Sequence, residues 1–114
     1  PGKQLRNIIH INDVISAILL VINHKTINGE TLLTVSDDHY SVVEIARKIC
    51  SIFGGDLKLI DWPRGLKKIE FGDTVMTNKK IKEKLSWQPK IKFEDGLKST
   101  LEFYSKFLHK YFPA

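Results

Sequence analysis

Arg6-Asn7-Ile8-Ile9-His10-Ile11-Asn12-Asp13-Val14 near the start of the chain and Lys84-Leu85-Ser86-Trp87-Gln88-Pro89 near its end decide how the rest is read. The first stretch is rich in isoleucine and loosely alternating over residues 5–11, which predicts a short strand. Asn12 or Asp13 then offers a short side-chain acceptor to a free amide at the start of a helix. The second stretch closes a helix expected over residues 78–85. The residue before a proline avoids helical angles, so Trp87-Gln88-Pro89 ends it. Trp87 and Pro89 are expected to anchor the tail against the core.

Between these stretches the periodicities alternate. Val14, Ile15, Ala17, Ile18, Leu19, Val21 and Ile22 are apolar nearly all round the helix expected at 13–23. Such a helix must be buried on most faces, a heavy demand in so short a chain. Asn28-Gly29 marks a turn, and residues 31–35 read as a buried strand. Ser41-Val42-Val43-Glu44 is a capping box opening a helix. Val42, Ile45, Ala46, Ile49 and Phe53 form its stripe, and Gly54-Gly55 stops it. Residues 57–60 and 90–93 are candidate strands, and 66–76 read as extended or irregular. A last helix runs from about Glu94 to Lys110. Its stripe is Leu97, Leu101, Tyr104, Leu108 and Tyr111, with acidic residues at the positive end and basic ones at the negative end.

The 114 residues suit one domain, and 42% are hydrophobic, enough for a core. A chain of this size hides roughly two-thirds of the surface it exposes unfolded. Lys and Arg number 18 against 13 Asp and Glu, a net charge of +5. That balance favours anionic partners: nucleic acid, membrane headgroups or phosphorylated small molecules. Plain solvation accounts for Lys79, Lys80, Lys82 and Lys84 on a helix face. The single cysteine, Cys50, has no internal disulfide partner and reads as a buried structural thiol. The longest apolar run, 14–22, is too short to span a bilayer, and nothing like a signal peptide precedes it. A cytoplasmic protein without a membrane partner is expected.

Several chemistries are excluded. The four histidines are scattered, and one cysteine cannot make a zinc finger, so no metal site is expected. Gly54-Gly55 follows a helix instead of opening one, so no phosphate-cradling loop exists. No Gly-x-Ser-x-Gly elbow appears. No glycine fingerprint follows a strand, which leaves no cofactor-binding residues. Tyr-x-x-x-Lys is missing as well: Tyr40 has Glu44 four residues on, Tyr104 has Leu108, and Tyr111 is too near the end. No catalytic residue is assigned.

The ordered segments resemble the C-terminal part of the extended short-chain dehydrogenase/reductases, the NAD-dependent epimerase/dehydratase group acting on nucleotide sugars. The family's R-D-[FY]-[IV]-H-V-x-D-V appears as R-N-I-I-H-I-N-D-V at 6–14. A strand ending V-S-D is matched at 35–37, a helix like S-V-x-E-[IL]-A-x-x-I at 41–49, and I-[DE]-x-G-D at 69–73. The tail S-K-x-x-x-x-L-G-W-x-P-x-x-x-L-E-E-G-L-x-x-T-x-x-[WFY]-Y is followed by K-I-K-E-K-L-S-W-Q-P-K-I-K-F-E-D-G-L-K-S-T-L-E-F-Y at 80–104. Each piece alone is weak; five in order at the right spacing are strong.

The resemblance implies an α/β fold of helices with a few short strands, residues 1–114 being one substrate-binding fragment that lacks the N-terminal Rossmann domain. NAD and the catalytic tyrosine and lysine would belong to the parent enzyme, an isomerase or lyase of polysaccharide biosynthesis. The fragment alone would be inactive and bind no cofactor. Its partners would be a nucleotide-sugar substrate and the Rossmann part of the same protein, with a homodimer as an option. Arg6 is implied to contact the diphosphate, as a guanidinium fork suits phosphate oxygens. Arg64 is the first choice for a second cation and Lys67 the next. His10 and Asp13 match family positions and are given structural roles, a packed histidine and a helix cap. Trp62 is read as a loop-packing residue with base stacking as the alternative. Departures are Asn7 for aspartate, Thr77 for aspartate, Lys79 for serine, Ser86 for glycine, and Lys92 for the residue that would cap the last helix. The reading from another class is a free-standing basic helical module that binds nucleic acid. A third is a regulatory or assembly domain of the same descent.

Overall fold

A computed structural model describes residues 2–111. The elements run β1 (Leu5–Asn7), α1 (Ile11–Ile22), β2 (His39–Ser41), α2 (Val42–Phe53), a single 3-10 turn (Leu66–Lys68), α3 (Lys79–Leu85) and α4 (Phe93–Tyr111). This is the expected mixture of helices and short strands. β1 pairs antiparallel with β2, Arg6 opposite Tyr40. On its other edge Arg6 bridges Thr74 in parallel, and the Thr74 N–H donates to the Leu5 carbonyl at 2.9 Å. β1 is thus the middle of a small patch, flanked on both sides.

The helix starts differ from expectation at one place. His10, not Asn12 or Asp13, caps α1: its Nδ1 accepts from the Asn12 N–H at 3.2 Å. Asp13 is buried, and its two oxygens accept from the N–H groups of Lys90 and Ile91 at 3.0 and 3.1 Å. Those amides are the ones a ladder would have used, so the strand expected at 90–93 does not form. α2 opens on the expected capping box and ends at Gly54, whose φ of 82° is the conformation glycine adopts freely. Cys50 in α2 is half-buried, not enclosed.

The core is small. Ala17 of α1, Ile27 of the following turn, Ile81 and Leu85 of α3, and Trp87 of the tail form one cluster. Trp87 is anchored as expected, its indole N–H donating to Ser16 Oγ at 2.9 Å. Residues 31–35 run without strand pairing although Val35 is buried, and 57–60 run exposed. Apolar sequence makes a strand only where a neighbour offers a ladder and a surface, and no described segment does so for these two.

Large apolar surfaces stay open. α1 buries only Asp13 and Ala17. Ile11, Ile15, Ile18, Leu19 and Ile22 share one face of it and are exposed, Ile22 by 72%. α2 and α4 lie against each other, but Val42, Ile49 and Phe53 of the one and Tyr104, Leu108 and Tyr111 of the other remain exposed, contrary to a closed core stripe. The radius of gyration is 17.2 Å, against about 13 Å for a compact domain of this length. Among the described residues, no helix is long and apolar enough to cross a membrane.

Candidate functional site

Arg6 sits at the centre of β1 with a half-buried guanidinium. Nη1 donates to the carbonyls of Leu5 and Gly72 at 2.8 and 2.7 Å. Nη2 donates to Glu70 Oε1 at 3.1 Å, and the ring of Phe71 lies 5.2 Å from the guanidinium carbon, within cation–π range. Glu70 Oε1 also accepts from the Gly72 N–H at 3.0 Å. The segment 70–72 therefore wraps the arginine with a carboxylate, a carbonyl and a ring.

Asn7, beside it, fastens three strands of chain. Its amide nitrogen donates to the Ser36 and Asp38 carbonyls at 3.1 and 3.3 Å. Its oxygen accepts from the Met76 N–H at 2.8 Å. Asp73 accepts from the Leu5 N–H at 2.9 Å. These bonds fix the 70–76 segment along β1.

Arg64 and Lys67 lie on the loop that leads into this segment. A hydrogen bond from Leu66 N–H to the Pro63 carbonyl turns the chain around Arg64, and one from Lys68 N–H to the Gly65 carbonyl turns it again around Lys67. Both side chains are exposed, and neither makes an ion pair among the described residues. Arg64 and Lys67 share one loop, and Arg6 is bonded to Glu70 and Gly72 on the segment that follows it; among the described residues no bond joins Arg6 to that loop itself. A hollow of about 270 Å³ lies nearby, with Gln4, Val42, Asp61, Trp62 and Glu70 in its wall. Glu70 is the partner of Arg6, and Trp62 precedes Arg64 by two residues. None of the three cations lines the hollow itself. Trp62 is half-buried in its wall.

The lysines of α3 are differently placed. Lys80 and Lys84 both pair with Glu30, at 2.7 and 2.5 Å. Hydrogen bonds from Lys80 and Lys84 hold the Glu30 carboxyl at about 2, below its usual 4.5. Lys82 pairs with Asp37 at 2.5 Å, and Asn78 donates to the same oxygen at 2.9 Å. Lys82 first and Asn78 second lower the Asp37 carboxyl. Lys79 faces Glu83 at 3.7 Å. These pairs pin residues 30–37 to α3. The tail is fastened by His10 as well: its Nε2 is 3.1 Å from Ser99 Oγ, and a Cβ on Gly96 would stand 3.0 Å from its ring.

Sequence reasoning missed Glu70. Its stretch is recognisable as I-E-F-G-D, but pairing with Arg6 joins residues 64 apart, and no local pattern signals that. It also read Asp13 as a cap, where the tertiary fold uses it to hold two tail amides.

No family model matches the chain. Individual proteins do. UDP-N-acetyl-alpha-D-glucosaminuronate decarboxylase of Bacillus cytotoxicus is 28% identical over 109 residues, covering 90% of this chain and 33% of that protein. The dTDP-D-glucose 4,6-dehydratase of Mus musculus is 29% identical over 115 residues, covering 96% and 32%. The crystal structure of UDP-glucose 4-epimerase with UDP-glucose from Thermotoga maritima superposes with a TM-score of 0.78 at 28% identity, covering 94% of this chain and 33% of that one. The chain spans about a third of the length of these relatives. It corresponds to the C-terminal part of the epimerases, dehydratases and decarboxylases of the extended short-chain dehydrogenase/reductase family.

Proposed function

We propose that residues 1–114 are the substrate-binding portion of an NAD-dependent nucleotide-sugar epimerase or dehydratase, closing over the diphosphate of the sugar donor. One observation carries this reading: Arg6 is held at the middle of β1 by Glu70 and Gly72, on the segment that directly follows the loop bearing Arg64 and Lys67. Three cations on two adjoining segments suit a ligand with two linked phosphates. A guanidinium binds phosphate oxygens in a planar fork, and a lysine acts as a point charge. The similarity to an epimerase solved with UDP-glucose supports the same ligand class.

The chain's share of the work is binding and orientation, which lowers a barrier by fixing the reacting geometry. NAD, if bound by the parent enzyme, would supply reversible hydride transfer. Among the described residues no strand runs through a glycine-rich turn into a helix start, so this portion offers the dinucleotide no such cradle. NAD and the catalytic residues would then belong to an N-terminal Rossmann portion, and the fragment alone would be inactive. That portion is the proposed cover for the open face of α1, with a second copy of the chain as the other occupant. The enzyme would act in the cytoplasm.

The basic nucleic-acid module is less well supported. The lysines of α3 are engaged by Glu30, Asp37 and Glu83, so the basic run is largely neutralised. Calorimetric titration of the chain with UDP-glucose, dTDP-glucose and a DNA duplex tests the choice. Nucleotide-sugar binding that weakens on R6Q and on R64Q upholds the proposal. Salt-sensitive duplex binding without nucleotide-sugar binding refutes it.

A further inference from the structure

We infer that Glu70 is a built-in competitor for the anion site: its carboxylate occupies, on Arg6, the place a phosphate oxygen of the ligand would take. The inference rests on the diphosphate reading above and adds a residue to it. An arginine carries five N–H donors in a fixed fork. In this chain both Nη1 hydrogens go to main-chain carbonyls, of Leu5 and Gly72. Those bonds orient the guanidinium and leave its charge uncompensated. Nη2 is the donor that meets a charge, and the charge is Glu70. Carboxylate and phosphate oxygens accept from a guanidinium in the same manner, so a diphosphate that approaches Arg6 through Nη2 competes with Glu70 for that donor. The pair is neutral as it stands, which removes Arg6 from the field that attracts an anion until Glu70 leaves.

The surroundings allow Glu70 to leave. The carboxylate is tied by one further bond, from the Gly72 N–H. Rotation of the Glu70 side chain alone is enough. The main chain beside it stays on β1, held by the Gly72 carbonyl on Arg6 and by the Thr74 amide on the Leu5 carbonyl.

The test measures the affinity of the 114-residue chain for UDP, inorganic pyrophosphate and uridine by calorimetry, in the parent sequence, E70Q, R6Q and the double variant. E70Q keeps the size of the side chain and removes its charge. Circular dichroism and a urea midpoint establish that each variant is folded, and E70A repeats the measurement without the amide. The expected result is UDP and pyrophosphate binding tightened on the order of tenfold by E70Q, the scale of one charge-assisted bond released. Uridine binding stays unchanged, and R6Q abolishes the gain. Equal or weaker UDP binding by both folded Glu70 variants, with R6Q still weakening it, overturns the inference and leaves the diphosphate reading standing. No binding of UDP or pyrophosphate by any variant, or binding indifferent to R6Q, overturns the reading and the inference with it.

Discussion

Asn7 stands where the resembled motif carries aspartate, and its side chain makes bonds a carboxylate cannot. It donates to two carbonyls and accepts from one amide. N7D turns both donor contacts into repulsions between acceptors, so a loss of about 1–3 kcal/mol is expected in urea unfolding. Asp13 presents the converse case. Its two oxygens each take a tail amide; in D13N one of them becomes an N–H₂ facing an N–H. That variant is also expected to lose about 1–3 kcal/mol by the same measurement. Gly96 is the third such position. Alanine is worth about 1 kcal/mol more than glycine within a helix, yet here its Cβ would press a His10 ring held from two sides. G96A is therefore expected to lower the urea midpoint, and a raised midpoint would show that the ring yields. At this scale the sequence revealed which positions matter and not what they do. The R-N-I-I-H-I-N-D-V stretch marked Arg6, His10 and Asp13, but Glu70, Ser99 and Lys90, the side chains and amide they reach across the fold, lie far away in the chain.

At the scale of elements, the helices were legible because periods and charge patterns are local: Ser41 with Glu44 for α2, the charge asymmetry of α4. The end of α3 was placed correctly, but Ser86 in a left-handed conformation closes it, not the Pro89 that follows. Strands at 31–35, 57–60 and 90–93 were over-read because a ladder depends on a neighbour that the sequence does not display. The loop at 23–38 is held to α3 by Glu30 and Asp37, and both carboxyls titrate below their usual range. A lowered folded value means that the stabilisation is complete above the unfolded value, near 4.5 for Glu30, and is lost as pH falls toward about 2. Protection factors of the amides in 30–37, taken against the intrinsic exchange rate at each pH, should therefore fall through that window, and in E30Q the Glu30 part of that fall should vanish. An unchanged profile in E30Q would show that these pairs do not hold the loop. The apolar face of α1 is the other feature of this scale. I18K replaces an exposed isoleucine, so the stability of the isolated chain should shift by no more than about 0.5 kcal/mol. Self-association in light scattering should fall if copies meet through this face. A large loss of stability would mean that the face is already covered.

As a whole, the molecule is broad and thin, 48 × 38 × 23 Å, with its small core between α1, α3 and the tail. The heavy apolar content of residues 14–22 called for burial on most faces, and Ile15, Ile18, Leu19 and Ile22 are exposed instead. The flatness could not be read from composition, since 42% hydrophobic residues would serve a closed domain equally well. A lid that contributes binding and orientation should show its ligand contacts on one side. An NMR titration of the isotopically labelled chain with millimolar UDP-glucose locates them directly. The account predicts shifts concentrated at Arg6 and its β1 neighbours and in the loop carrying Arg64 and Lys67, with α3 unaffected. Shifts centred on α3 and its lysines, or none at all, would contradict it.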